Sequence, residues 1–535
     1  MLFADTVLKN GNIITMDKSN PRTEAVAILG DKIVGVGTNA QMDEMTGPKT
    51  KVTDLKGQTM TPGLIEGHCH IVHFGNNLRT VDCTPETTPS IAALKAAIAA
   101  KAEVTPLGKW IEGWGYDDSR MADGRHPTKA DLDEAAPNHP VLITRTCYHM
   151  VVCNSKALET AKITEDTKDP LGGRIVRDGD GRMTGLLQEN ARFTAMEAMP
   201  KPSRDDVAEM IGLACAEYNK LGFTSATDAS TMFEIDGEYG AWSDTLQDGR
   251  LSLRVYTLLS EDSAKKIRNL GVGTGFGSDM FKIGCVKFFM DGSIGGGTSA
   301  MKNGYANDPD NHGILYHEQS ALEAKVLDAH KAGYRLSIHA IGDQAVDNTL
   351  TALEKAQAAY PRQGSRHRLE HGHICPPDLQ KRIKDLDLCI AMQPAFLYYL
   401  GGSHITFLGQ EGVAKEVQIK TMLNQGTEVA MSTDNPVVKP YPGVSLYAAV
   451  TRNVLDGRIC GTEECLTVEE ALRCYTMGGA YCSMEEDIKG SIEVGKLADL
   501  AVFNMDPTAV KDNKELLDLK TQMTILGGKT VYTVN

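Results

Sequence analysis

Thr61-Pro62-Gly63-Leu64-Ile65-Glu66-Gly67-His68-Cys69-His70 is the stretch that decides the fold. A Pro-Gly pair opens it, an apolar run follows, and two histidines close it. In an extended strand residues i and i+2 share a face, so His68 and His70 present their imidazoles together at the strand's C-terminal end. Seven further apolar runs follow, over 222–228, 253–258, 285–291, 335–339, 366–371, 389–393 and 428–434. His339, His371 and Asp434 close three of them. Between the runs, amphipathic spacing predicts helices over 203–220, 318–331, 343–359, 411–424 and 467–475. Ser203 reads as an N-cap, with Asp205 and Asp206 in the first turn, where the helix dipole favours negative charge. Eight strands alternating with helices predict an α/β chain folded as a parallel (β/α)8 barrel. In that architecture the functional residues gather at the C-terminal ends of the strands.

Outside the barrel, both ends of the chain read as short β-branched strands broken by Asn-Gly and Gly-Asp turns. Neither end carries enough apolar surface for a core of its own. Residues 1–60 and 490–535 are therefore expected to form one composite β-sandwich, and 61–489 the barrel. The interval between His70 and Gly222 is too long for one crossover. It carries its own helix (90–101) and strands (109–115 and 140–146), which predicts an inserted α/β subdomain at about 76–202, after the first barrel strand.

Composition narrows the function classes. With 41% hydrophobic and 23% charged residues, the 535-residue chain is neither disordered nor a disulfide mini-protein. Its net charge of −15 disfavours nucleic acid and anionic membrane surfaces, whose phosphates need basic partners. The 12 cysteines are scattered without a C-x-x-C pair, as expected of reduced thiols in a cytoplasm. Met1-Leu2-Phe3-Ala4-Asp5 lacks the basic n-region of a signal peptide, and no run approaches the roughly 18 apolar residues of a membrane span. The expected partner is a small-molecule substrate. A homo-oligomer is compatible with the size.

Imidazoles and a carboxylate at the ends of four barrel strands point to a metal centre: His68, His70, His339, His371 and Asp434. Lys287 sits inside an otherwise apolar strand, Cys285-Val286-Lys287-Phe288-Phe289-Met290-Asp291. Burial disfavours its ammonium. Two readings stand: a neutral amine that takes up carbon dioxide as a carbamate able to bridge two metals, or a lysine whose stem packs while its head reaches the barrel mouth or a carboxylate such as Asp291. His149 is a candidate substrate or oxyanion contact. His73 and His373 are left out, because strand geometry does not aim them clearly inward.

Further motifs accompany these residues. They include Asn10-Gly11-Asn12-Ile13-Ile14-Thr15-Met16, Gly113-Trp114-Gly115-Tyr116-Asp117 and Cys153-Asn154-Ser155-Lys156-Ala157-Leu158. Downstream stand Asp291-Gly292-Ser293, His339-Ala340-Ile341-Gly342-Asp343, Arg366-His367-Arg368-Leu369-Glu370-His371, Asp434-Asn435-Pro436-Val437 and Gly495-Lys496-Leu497-Ala498-Asp499-Leu500. Together they resemble the amidohydrolase superfamily over essentially the whole chain, and within it the amidohydrolase-3 group of YtcJ-like proteins and N-substituted formamide deformylases. The resemblance implies a distorted TIM barrel beside a small β-sandwich. It implies a site of one or two divalent metals; carboxylate and imidazole ligands suit zinc, and also manganese, iron or nickel. His68, His70 and Asp434 would bind the more buried ion, His339 and His371 the second, and carboxylated Lys287 would bridge them. The implied activity is hydrolysis of a non-peptide C–N bond, such as an N-acyl or N-formyl amide, by metal-activated hydroxide. Asp434 would accept the water proton and pass it to the leaving amine. A cyclic amidase or deaminase, an ester or lactone hydrolase, and an inactive metal-binding barrel are the alternatives. The chain departs from the group at Tyr148-His149, at Gly295-Gly296-Gly297 and at Gly372-His373, positions that bear on the substrate.

Overall fold

A computed structural model describes residues 3–229 and 238–534. Among these, eight parallel strands form one sheet in sequential order. They are β1 (Leu64–Cys69), β2 (Phe223–Asp228), β3 (Arg254–Leu259), β4 (Phe281–Phe289), β5 (Arg335–Ala340), β6 (Arg368–His371), β7 (Cys389–Met392) and β8 (Val429–Met431). All lie almost wholly buried, which explains why they read as continuous apolar runs rather than as alternating ones.

Between β8 and β1 the ladder gives way to single bonds that nearly close the barrel. The Asp434 N–H donates to the His68 carbonyl at 3.0 Å, and the His70 N–H to the Asn435 carbonyl at 2.7 Å. The Glu66 carboxylate accepts from the Thr433 N–H (2.7 Å) and hydroxyl (3.0 Å). Gly67 is required here: a Cβ would lie 2.8 Å from both the Met431 carbonyl oxygen and the Ala430 Cβ. This seam sets the spacing between the two strands that carry His68 and lead to Asp434.

The terminal segments supply two further sheets. One is four-stranded and comes from residues 6–54; the other is six-stranded and interleaves Asn12–Ile14, Arg22–Thr23 and Thr59–Pro62 with three strands from 500–533. Leu8, Val26 and Ile28 of the first pack with Met60, Leu500 and Ile525 of the second in one apolar cluster, as a sandwich requires. Between the helix Ile71–Asn77 and the helix Arg204–Lys220, the chain builds a separate six-stranded sheet from strands between residues 81 and 189. Its core is its own. Ser203 caps the helix Arg204–Lys220 in a capping box with Asp206.

One helix expectation is corrected. Residues 411–424 are not a single helix. Pro394–Ala414, itself broken by a kink at Gly409 (φ +72°), and Ile419–Asn424 are separate, and Val417 between them has φ +52°. The break is held from a distance: the buried Arg452 guanidinium donates to the Val417 (3.0 Å) and Glu416 (2.7 Å) carbonyls. The twelve cysteines are free thiols. Among the described residues, no helix is long and apolar enough to cross a membrane.

Candidate metal centre

β1 delivers His68, and the chain turns at once so that His70 heads the helix Ile71–Asn77. β6 ends on His371 with φ +74°, and Asp434 follows β8 with φ +54°. A left-handed backbone at a non-glycine residue is strained, costing on the order of 1 kcal/mol or more, and such strain persists where the surrounding structure dictates it. Here it brings together side chains from β6, from the end of β8 and from β1 across the seam. Single ligand atoms of His68, His371 and Asp434 all lie within 4.8 Å of one another. Nε2 of His68 and of His70 approach Asp434 Oδ1 at 3.4 and 3.3 Å. Asp434 Oδ1 is buried, and among the described residues it accepts no hydrogen bond of good geometry. The His339 ring lies 4.4 Å from that of His371, centroid to centroid. Lys287 places Nζ 3.5 Å from His68 Nε2 and 4.8 Å from the centre of the Phe289 ring.

His68, His371 and His339 are each oriented by a second group. Glu370 Oε2 accepts from His68 Nδ1 at 2.6 Å, which leaves the Nε2 lone pair facing Asp434. The amide oxygen of Gln393 accepts from His371 Nδ1 at 2.9 Å and from His373 Nε2 at 2.9 Å. His339 Nε2 donates to the Gly292 carbonyl at 3.1 Å, with Asp291 at 3.5 Å, leaving Nδ1 as its donor nitrogen. Asp291 does not pair with Lys287. Its carboxylate accepts the N–H groups of Ala300, Ile341 and Gly342 instead.

The electrostatics suit a cation. Burial, reinforced by Lys287, holds His68 down to about 4. Burial, reinforced by neighbouring imidazoles, likewise holds His339 and His371 well below the usual histidine range, so all three are neutral donors at pH 7. Burial pushes the Asp434 carboxyl up, but His68 and His70 outweigh it and keep it ionised. Burial lowers the Lys287 ammonium to about 8 against the pull of Glu370 and Asp434. Imidazoles and a carboxylate gathered in this way are a donor set that fits a divalent metal.

The remaining sequence candidate, His149, lines a crevice together with His339 and Asp434. Its Nδ1 is tied to buried Glu189 at 2.7 Å, and Tyr316 donates to the same carboxylate. His373, set aside on strand geometry, also lines this crevice. The crevice encloses about 460 Å³ counted out to its mouth, little of it wide enough for a water molecule. It is therefore narrow. Sequence reasoning missed the orienting residues Glu370, Gln393, Asp291 and Glu189. Only Glu370 carried a signal, as a charged residue within an apolar run beside His371.

Residues 51–532 match the amidohydrolase family. The chain belongs to that family. YtcJ of Bacillus subtilis is 30% identical over 528 residues, 98% of each chain. The N-substituted formamide deformylase of Arthrobacter pascens is 28% identical over 542 residues, 99% of this chain and 98% of its own. An uncharacterized metal-dependent hydrolase from Pyrococcus horikoshii superposes with a TM-score of 0.77 at 27% identity, covering 95% of this chain and 98% of that one. This amidohydrolase is thus an enzyme, a metal-dependent hydrolase acting on carbon–nitrogen bonds other than peptide bonds, and its family implies a divalent metal.

Proposed function

We propose that this amidohydrolase cleaves the amide of a small N-acyl or N-formyl amine, with Asp434 as its catalytic carboxylate. The observation that carries the reading is the buried Asp434 Oδ1, faced by two imidazoles at the wall of a narrow crevice. The deformylase relative supplies the bond type.

His68, His70, His339, His371 and Asp434 would hold one or two divalent ions. Imidazole and carboxylate donors favour zinc, with manganese, iron and nickel as alternatives. Such an ion supplies Lewis acidity and lowers the pKa of water from about 15.7 towards 7. Lys287, neutral in an appreciable fraction near pH 8, would lose a proton to solvent as its nitrogen bonds carbon dioxide. The resulting carbamate adds anionic oxygens to the donor set.

The protein's own groups do the proton work. Asp434, ionised at pH 7, accepts a proton from the attacking water and returns it to the departing nitrogen as the C–N bond breaks. The products are a carboxylic acid, formic acid in the simplest case, and an amine. His149, held by Glu189 through Nδ1, has Nε2 left to donate to the substrate carbonyl oxygen as it gains charge. The crevice walls exclude bulk water and admit a slender substrate.

Amine release from matched N-formyl amines, N-acetyl amines, lactams and lactones tests the reading. Turnover of the acyclic amides, strongly reduced in Asp434→Asn, is expected. Turnover confined to the lactams or lactones would replace it. Metal per chain, measured by elemental mass spectrometry with bicarbonate present, should fall in Lys287→Ala; an unchanged content would remove the carbamate.

A further inference from the structure

The crevice has a second polar wall that the proposed chemistry leaves unused. It forms where three elements converge: the end of the inserted strand Val141–Arg145, the short turn Ile294–Gly296 after β4, and the helix Pro394–Ala414. Arg145, Ser293, Ser403 and His404 line the crevice there, all more than nine-tenths buried. Their convergence is read from Gly295. A Cβ at that position would stand 3.2 Å from Ser403 Oγ, 3.7 Å from Arg145 Nη1 and 3.8 Å from His404 Cδ2. The glycine run that departs from the group pattern thus leaves a small space ringed by polar side chains.

Two of these side chains are braced so that one nitrogen of each remains for a ligand. Asp118 takes Arg145 Nε at 2.6 Å and Asp117 stands 3.4 Å from Nη2, while Nη1 has no hydrogen bond among the described residues. Buried Glu416 takes His404 Nδ1 at 2.9 Å, which leaves Nε2. The buried Ser293 hydroxyl has no hydrogen-bond partner among the described residues.

Charge decides what this space takes. One guanidinium faces two carboxylates, and a third carboxylate, Glu416, lies between His404 and His373. An incoming carboxylate would be desolvated beside acids that already outnumber the guanidinium. An uncharged acceptor gains the hydrogen bonds without that cost. We propose that Arg145, Ser293, Ser403 and His404 form a specificity subsite for a second, uncharged hydrogen-bond acceptor on the substrate, such as a carboxamide, ketone or ester carbonyl. This deepens the amide-hydrolase reading and rests on it for the identity of the scissile bond: the substrate class becomes N-acyl amines with a neutral carbonyl along the amine chain.

The amine products provide a test that needs no turnover. Three series of one to four methylenes are compared by calorimetry on the metal-loaded enzyme: ω-amino carboxamides, ω-amino carboxylates and branched ω-aminoalkanes of the same shape. The best carboxamide should bind about tenfold more tightly than either counterpart. Gly295 lies outside the left-handed region, so its backbone accepts alanine, and Gly295→Ala fills the space with one methyl. In Gly295→Ala and in Ser403→Ala the preference should shrink to about twofold. Tightest binding by the carboxylate, equal binding by the alkane, or a preference that survives both variants would each overturn the subsite. Hydrolysis of simple formamides by an enzyme that shows no ranking sinks the subsite alone. A clear ranking in an enzyme that hydrolyses no formamide sinks the amide reading and leaves the subsite standing.

Discussion

Glu370→Gln is the most informative single perturbation of the metal centre, because it changes charge and proton position with almost no change in shape. Glu370 is fully buried. It accepts from His68 Nδ1 at 2.6 Å, from the Arg368 guanidinium at 2.7 and 3.1 Å, and from the Ser337 hydroxyl at 2.7 Å. Burial pushes its carboxyl up, but Arg368 and His68 outweigh this and hold it well below the usual carboxylate range. A glutamine leaves Arg368 buried without its counter-ion. Breaking a buried pair in this way costs about 3–5 kcal/mol. If the new amide nitrogen faces His68 Nδ1, the ring must accept there and carry its proton on Nε2, toward Asp434. The ring then loses its free donor nitrogen, and loss of such an orienting partner weakens metal binding about 10–100-fold, or roughly 1.4–2.8 kcal/mol. The assays are urea unfolding of the metal-free protein and a zinc titration against a competing chelator. Both quantities should fall together. Native zinc affinity in a variant of unchanged stability would refute the role given to Glu370 and the tautomer argument with it.

Asp434→Asn should lower kcat by about 10²–10⁴-fold while the variant stays folded, checked by amine release beside circular dichroism. Gly67→Ala drives a methyl against the Met431 carbonyl and Ala430, and should cost about 1–3 kcal/mol in the unfolding midpoint. Stability should also fall in mild acid. His330 Nδ1 and His367 Nε2 lie 2.9 Å apart, the Leu336 N–H donates to His367 Nδ1, and His330 Nε2 donates to the Tyr360 carbonyl, so the pair is neutral in the fold. Burial lowers both groups, His367 well below its ordinary value. Below about pH 6.5 the unfolded chain takes up protons that the folded one refuses, so stability is intact above that pH and drains away as pH falls below it. Urea midpoints at pH 7.5 and 5.5 should differ, and less so in His330→Gln/His367→Asn. Chelation should abolish turnover, and added zinc should restore it.

The sequence made the barrel legible because fully buried parallel strands are written as apolar runs, each ending where a polar side chain can face the mouth. Strand ends were less legible. The run over 428–434 reads as one strand, yet β8 stops at Met431 and Asp434 sits beyond it on a left-handed backbone. Alternation along β6 assigns Glu370 and His371 to opposite faces, but φ +74° turns His371 so that both serve the site. A positive φ at a histidine or aspartate has no local signature, because distant packing imposes it. The helix break near Val417 was hidden for the same reason, since the guanidinium that holds it belongs to Arg452. Gln393 and Glu416 act only on histidines brought beside them by the fold, so no spacing rule could announce them.

The central claim is that the carboxylate and imidazoles at the barrel mouth hold the metal on which C–N hydrolysis depends. Its most direct test is to strip the protein with chelator, titrate zinc back with bicarbonate present, and follow bound metal and amine release from an N-formyl amine in the same samples. Both should rise together and saturate at one or two ions per chain, and Asp434→Asn should bind less and release amine about 10²–10⁴-fold more slowly. Full turnover by metal-free protein, or saturated metal with no amine released from any N-acyl amine, would contradict the account.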